Sequence, residues 1–344
     1  MELFFELLQV ALGTRDSLSR IPSEHDWDAM FEEAQRQAIE GVLAEGINHL
    51  PKECQPPEES LWDWVALSLR GEANTRQNMK RTRELVSLAQ TAGFRGCVLK
   101  GVAMARYYPE PLRRQCGDID FWIFGRRKNV MAWLRSRYKI LHNVWHNVGV
   151  EVFEDVPVEI HFHPGWVYNP FFNWRLQRWF NAYGLQFSAT EPLEHGFVGP
   201  TADFDAVFSL MHSFRHLLVQ GVGLRHVVDY FYILRSDVRD KKEDVMKLLH
   251  SFGMEKFAGA MMWVLSSVCG MPTEELLCKP NEKEGRFLLK EIMQGGNFGN
   301  SRTDGMGYNS LRRYWVTMRH FPSEVLWMLP WKLWHRFWCM FDRN

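Results

Sequence analysis

The chain has no CxxC pair, no stretch of about 18 uncharged apolar residues, and no excess of charge of either sign. Each absence excludes something. Its six cysteines, Cys54, Cys97, Cys116, Cys269, Cys278 and Cys339, are scattered. A chain of 344 residues is long enough to bury its own core without disulfide staples. Reduced thiols in the cytoplasm are therefore expected. Without a long apolar run, no transmembrane helix is expected. Met1–Leu12 is apolar but carries Glu2 and Glu6, with no basic segment and no small-residue cleavage site, so it does not read as a signal peptide. Acidic and basic residues balance at 41 each, leaving no global field to gather nucleic acid or anionic lipid. No internal repeat or low-complexity tract appears.

Aromatics, in contrast, are abundant, with 24 Phe, 15 Trp and 9 Tyr. The first 87 residues read as helical. Leu3, Leu7, Leu8 and Ala11 recur at helical spacing, Ser23 caps a run over Trp27–Leu50, Pro51–Pro57 is a loop, and Leu61–Leu88 is a long helix with a polar outer face. From about residue 88 to 195 the pattern is mixed. Strands are predicted over Cys97–Leu99, Asp118–Phe124 and Lys139–Trp145, with a hairpin of Val148–Phe153 and Val156–Phe162 around Glu154-Asp155. Helices are predicted over Val102–Tyr107 and Arg126–Tyr138, and Pro164–Gly184 reads as irregular. Residues 196–344 return to helix, over Thr201–Leu234, Val245–Val268 and Ser310–Met340 with a break at Pro322. Gly295–Gly307 reads as a loop. The expectation is an α+β fold in which a small mixed sheet is flanked by helical regions on both sides.

The chemistry concentrates on Gly117-Asp118-Ile119-Asp120-Phe121-Trp122-Ile123. On a strand, residues two apart share a face, so Asp118 and Asp120 point the same way while Ile119, Phe121 and Ile123 face a core. Paired carboxylates repel unless a cation lies between them, and Mg²⁺ prefers such oxygen ligands. In Val156–Phe162, Glu159 and His161 share the face opposite Val158 and Ile160. If that strand lies beside the aspartates, Glu159 completes a three-carboxylate set for two-metal phosphoryl or nucleotidyl transfer, and is also a candidate general base. His161 then lines the same cleft. Upstream, Lys100-Gly101 ends a strand and opens a helix, where backbone N–H groups can meet phosphate. Arg114 adds positive charge four residues before Asp118.

The segment Leu99-Lys100-Gly101, then Arg114, then Gly117-Asp118-Ile119-Asp120, resembles the uncharacterised nucleotidyltransferase family of bacteria, a branch of the polymerase-beta-like superfamily. Val158-Glu159-Ile160-His161 resembles that family's acid-x-His strand. The set His212, His216, Gly223-Leu224-Arg225-His226 and Asp229 resembles its helical signature, and the Asp26-Trp27 helix also fits. The resemblance implies a nucleotidyltransferase core at 88–195, Mg²⁺ or alternatively Mn²⁺ held by Asp118, Asp120 and Glu159, and transfer of a nucleoside monophosphate from an NTP, ATP among them, to an unidentified acceptor. Lys100, Gly101, Arg114, Gly117, His161 and Arg225 form the expected nucleotide-binding set. The superfamily's Gly-Ser phosphate turn is here Lys100-Gly101 with no serine following. That departure favours an alternative, a catalytically silent nucleotide-binding module of the same fold.

Other features have plainer readings. His212-Ser213-Phe214-Arg215-His216 lacks the glutamate of a zinc-protease helix and no cysteine stands at ligand spacing, so hydrogen-bonding roles are expected for both histidines rather than zinc. Arg225 and Asp229 stand one helical turn apart and read as an i,i+4 pair, with contact between Arg225 and nucleotide as the functional alternative. Trp327, Trp331, Trp334, Phe337, Trp338 and Phe341 interleave with basic residues. A terminal helix packed onto the helical domain is expected there, ahead of a membrane-surface helix or a peripheral interaction protein.

Overall fold

The computed structural model describes residues 1–186, 199–297 and 311–341. The first four helices are α1 (Glu2–Ala11), α2 (Glu24–Gln37), α3 (Glu40–His49) and α4 (Glu58–Thr91). Ser23 starts α2 through a reciprocal capping box, its hydroxyl accepting from the Asp26 N–H while the Asp26 carboxylate accepts from the Ser23 N–H. The predicted Trp27–Leu50 helix is two helices. Ala38 adopts the left-handed conformation at φ 53°, and Gln37 beside it is fully buried, its Oε1 accepting from Leu224 N–H. That tertiary contact overrides the helical periodicity. α4 is about 50 Å long at 1.5 Å per residue. Its second half lies against the sheet. There Arg81 pairs with Asp155, and Thr75 Oγ1 donates to Arg114 O, so α4 braces the loop that leads into the acidic strand.

The sheet comprises β1 (Arg95–Leu99), β2 (Ile119–Phe124), β3 (Lys139–Asn143), β4 (Asn147–Glu151) and β5 (Val158–His161), in the order β1-β2-β5-β4-β3. β2 and β5 run parallel, and the other pairs are antiparallel. Helix α5 (Gly101–Ala105) follows β1 and α6 (Arg127–Arg135) follows β2. One sheet face carries Val98, Ile119, Phe121, Ile123, Val150, Val158 and Ile160 and is sealed by Leu85, Val86 and Ala89 of α4 and Val130 and Leu134 of α6. This is the core face expected from the alternation, and the acids fall on the other. There Trp122 stacks near Phe204 and Tyr183, closing one end of that face and leaving the other end open.

Helix α7 (Pro170–Gln186) corrects the irregular reading of Pro164–Gly184. Leu176 and Phe180, one turn apart, are its buried stripe, but Phe171 and Trp174 are exposed. Aromatics on every side hid the amphipathic period. Next come α8 (Ala202–Val219), α9 (Leu224–Leu234), α10 (Lys242–Ser251), α11 (Glu255–Cys269), α12 (Glu282–Gly295), α13 (Leu311–His320) and α14 (Pro322–Phe341). The single runs predicted over Thr201–Leu234 and Val245–Val268 are each split at a glycine of positive φ, Gly221 and Gly253. The helix α12 has no counterpart in the sequence reading. The loop predicted at Gly295–Gly307 lies mostly outside the described residues.

Helices from both ends of the chain share one hydrophobic core. Leu7 and Leu8 of α1 belong with Val264 and Leu265 of α11, and Gln9 Nε2 donates to Val268 O at 3.0 Å. The C-terminal helix α14 does more than pack on helices. Trp331 meets Trp145 and Trp166, Trp334 meets Trp145, and the Arg127 guanidinium lies 4.9 Å from the Trp338 ring centroid, so α14 also caps the sheet edge. Its outer side leaves Leu326, Leu329, Leu333 and Phe337 exposed. Among the described residues no helix is long and apolar enough to cross a membrane.

Candidate active site

The parallel pairing of β2 and β5 sets Asp120 directly beside Glu159, and Trp122 beside His161. Period-two alternation places Asp120, Glu159 and His161 on the open face. One ligand atom from each lies within 4.8 Å of the others. His161 Nε2 is 2.7 Å from Asp120 Oδ1 and 3.5 Å from Glu159 Oε2. Lys100 Nζ lies 2.9 Å from the same Asp120 Oδ1. The Asn147 side-chain amide donates to Glu159 Oε2, fixing that carboxylate from β4. Asp118 precedes the first residue of β2 and opens into the cleft. It stands outside the tight group of Asp120, Glu159 and His161, but feels the charges of Asp120 and Glu159.

The electrostatics follow from crowding. Asp120 is 2% exposed, and burial alone would raise its pKa, but Lys100 and His161 outweigh burial and hold it at about 2. The neighbouring Asp120 charge and then burial push Asp118 above the ordinary carboxyl range. Burial opposes ionisation of Glu159 too, yet the His161 hydrogen bond keeps it below its usual value. Burial would depress His161 and Lys100, but the carboxylates around them raise both. Three carboxylates thus face one ammonium and one imidazole, and Asp118 carries the uncompensated repulsion.

The turn at Lys100-Gly101 is unusual in its backbone. Lys100 has φ 50° and ψ −150°, a region that side chains other than glycine seldom occupy, and Gly101 follows at φ 43°. Gly101 packs close to the start of β2, since a Cβ there would lie 3.4 Å from Asp118 O. The helix it opens has only five residues, shorter than the predicted Val102–Tyr107, so its dipole is small. Gly117 has open space where a Cβ would stand, and its carbonyl accepts from Asn78 Nδ2 at 3.4 Å.

Arg114 takes a different place from the phosphate clamp expected of it. It is 5% exposed, and its Nε and Nη2 both donate to Asp229, each at 2.8 Å. Tyr108 donates to the same carboxylate at 2.7 Å. Arg114 therefore ties the loop ahead of Asp118 to α9, and Asp229 pairs with Arg114 rather than serving chiefly as the i,i+4 partner of Arg225. Arg225 faces the cleft from the first turn of α9, and burial followed by the Arg114 charge lowers its pKa.

The cleft encloses about 600 Å³ between the open sheet face and α8 and α9. It brings together Lys100, Gly101, Gly117, Asp118, Asp120, Glu159, His161 and Arg225, with Arg114 in its wall. Three further residues line the cleft although the sequence gives them no role there. Arg215, its guanidinium 3.3 Å from the Trp166 ring centroid, is lowered to about 10 by burial. His146 sits 4.1 Å from the Trp166 ring centroid, and burial pushes its pKa well below the usual imidazole value. Asn147 had no motif to mark it. His212, His216 and His226 also line the cleft, and burial depresses all three, His226 to about 3.

A small mixed sheet thus presents acids from adjacent strands to a cleft that also holds Lys100, Arg114, Arg215 and Arg225. Residues 23–270 match the family described as uncharacterised nucleotidyltransferase, and the chain belongs to that family. A solved structure, an antigenic nucleotidyltransferase-like protein from Paracoccidioides brasiliensis, aligns at 12% identity and a TM-score of 0.33, covering 56% of this chain and 91% of that one. No curated protein sequence matches the chain.

Proposed function

We propose that the chain transfers a nucleoside monophosphate from an NTP to an acceptor hydroxyl. The observation that carries this is the register of β2 and β5, which sets Asp120 and Glu159 side by side in the cleft with Asp118 at its mouth. The donor set suits a hard divalent cation, because Asp120 and Glu159 stand side by side and the Asp120 charge raises Asp118 next to them. Asp118, Asp120 and Glu159 would hold Mg²⁺, or Mn²⁺ in its place, and the ion supplies charge neutralisation at the phosphates when bound.

The chain's own residues account for the rest. The acceptor oxygen forms a bond to the α-phosphorus, the bond from that phosphorus to the bridging oxygen breaks, and pyrophosphate leaves. Glu159, kept ionised by His161, takes the acceptor's proton. Lys100 and Arg225 bring positive charge to the triphosphate, and Gly101 and Gly117 let it approach the backbone. Arg114 acts through Asp229 by fixing the loop that ends at Asp118. The scattered, unpaired cysteines suit a reducing compartment, and the cytoplasm is the proposed location. A second reading, a catalytically silent nucleotide-binding module, is favoured by one feature, the Lys100 ammonium already seated on Asp120.

Incubating the protein with α-labelled NTPs and cell extract tests the first reading. Label should appear on an acceptor and be lost with Asp118→Asn and Asp120→Asn. Nucleotide binding by calorimetry without any transfer would support the silent module. Unchanged nucleotide and Mn²⁺ binding in the double variant would remove the carboxylates from both readings.

A further inference from the structure

A second polar cluster in the cleft is built of nitrogen rather than oxygen. His212 and His216 stand one turn apart on α8, so their rings project from the same side. The chain reverses at Gly221–Gly223, and His226 returns from the first turn of α9. One ring nitrogen of each histidine lies within 4.8 Å of the other two. The Nε2 atoms of His212 and His216 are only 2.9 Å apart. The ring centroids lie 4.3, 6.0 and 5.3 Å from one another, so the rings form a triangle rather than a row.

Along the chain neither a cysteine nor a glutamate stands at ligand spacing from His212 and His216, so zinc is not expected there from sequence. The third group comes instead from the next helix, across the turn. Two ligands at i and i+4 with a third from a neighbouring element is the pattern of a metal centre that keeps one coordination position open. The ligand type also decides which metal. Three imidazoles and no carboxylate suit a borderline-soft divalent ion, whereas Mg²⁺ takes oxygen. The two clusters of the cleft are therefore chemically distinct.

We propose that His212, His216 and His226 form a three-histidine site for a divalent transition metal of the zinc type. All three residues line the cavity, so the fourth position opens into the cleft. Arg215 and Arg225 line the same cavity, and a metal held by three neutral imidazoles keeps its full charge, so an anionic oxygen suits the fourth position, either hydroxide or a phosphate oxygen. The site stands on its own geometry and does not depend on nucleotidyl transfer.

The test uses untagged full-length protein stripped with a chelator and titrated with Co²⁺, whose visible absorption reports four- or five-coordinate sites. One equivalent should bind with visible bands. One equivalent of Zn²⁺ should displace it, and millimolar Mg²⁺ should not. The bands should vanish in His226→Gln and His212→Gln and persist in Asp120→Asn, with circular dichroism checking each fold. X-ray absorption of the Co²⁺-loaded wild type counts imidazole ligands and decides the matter even if a histidine variant fails to fold. Three imidazoles support the site. Absence of bands in the wild type overturns it, as do a single imidazole or bands lost only in Asp120→Asn, which would put the ion on Asp120, Glu159 and His161.

Discussion

Arg114→Ala should destabilise the protein by about 3–5 kcal/mol, the usual effect of leaving one member of a buried ion pair alone. Arg114 and Asp229 are 5% and 6% exposed and share two hydrogen bonds of 2.8 Å. Charge-assisted hydrogen bonds contribute roughly 1.5–3 kcal/mol each, so two of them bracket the same range. The surviving Tyr108 bond and water from the cleft favour the lower half. Asp229→Ala should be comparably harmful, because it strands the guanidinium. The double variant should fall short of the sum of the single effects by on the order of 1–3 kcal/mol, since removing both charges leaves neither unpaired. Urea unfolding at pH 7 followed by circular dichroism gives all three values. The pH dependence has a defined sign. Arg114 holds the Asp229 pKa below 3.8 against burial, so the pair's contribution is complete above that value and disappears as pH falls through the lower folded one. If Arg114→Ala costs less than about 1 kcal/mol, as for an exposed pair, or if the effects simply add, the bracing role is refuted. Arg114 would then return to the phosphate clamp expected from sequence.

Other expectations concern the site and its supports. Glu159→Gln should reduce label transfer by on the order of 10²–10³, the scale for losing one preorganised group, in an assay where nucleotide binding persists. His161 has a raised pKa, so it stabilises the fold fully below 6.5 and loses that contribution as pH rises through its folded value. The difference in melting temperature between wild type and His161→Gln should therefore shrink as pH rises, and a widening difference would contradict the assignment. Gly96→Ala should cost about 1–3 kcal/mol, because a Cβ there would lie 2.4 Å from Trp122 O in the paired strand, and denaturant titration reads it directly. Gly117→Ala meets nothing within 4 Å, so it should unfold like wild type while weakening nucleotide binding in calorimetry.

Much of the site was legible because a strand has a period of two. Spacing alone put Asp118 and Asp120 on one face of their strand, with Ile119 and Phe121 on the other, and separately put Glu159 and His161 on one face of theirs, with Ile160 on the other. The small mixed sheet between helical regions was legible for the same reason. Helix ends were less so. Ala38 breaks α2 from α3 because of a contact between Gln37 and Leu224, which no local pattern records. The helix α7 was missed because its aromatic residues cover both its buried and exposed sides.

The sequence by itself determined the local facts: which residues alternate on β2 and β5, where Ser23 starts a helix, and that the acids and Lys100-Gly101 fall near strand ends. These follow from backbone periodicity and capping, which act over a few residues. Only the tertiary structure decided that β5 lies parallel to β2, that Lys100 sits on Asp120, that Arg114 binds Asp229, and that His226 joins His212 and His216. The first three link residues from 20 to 115 positions apart along the chain, and the last joins two helices across a turn. Such contacts are chosen by how the faces of different elements pack, a choice that spacing along the chain does not encode.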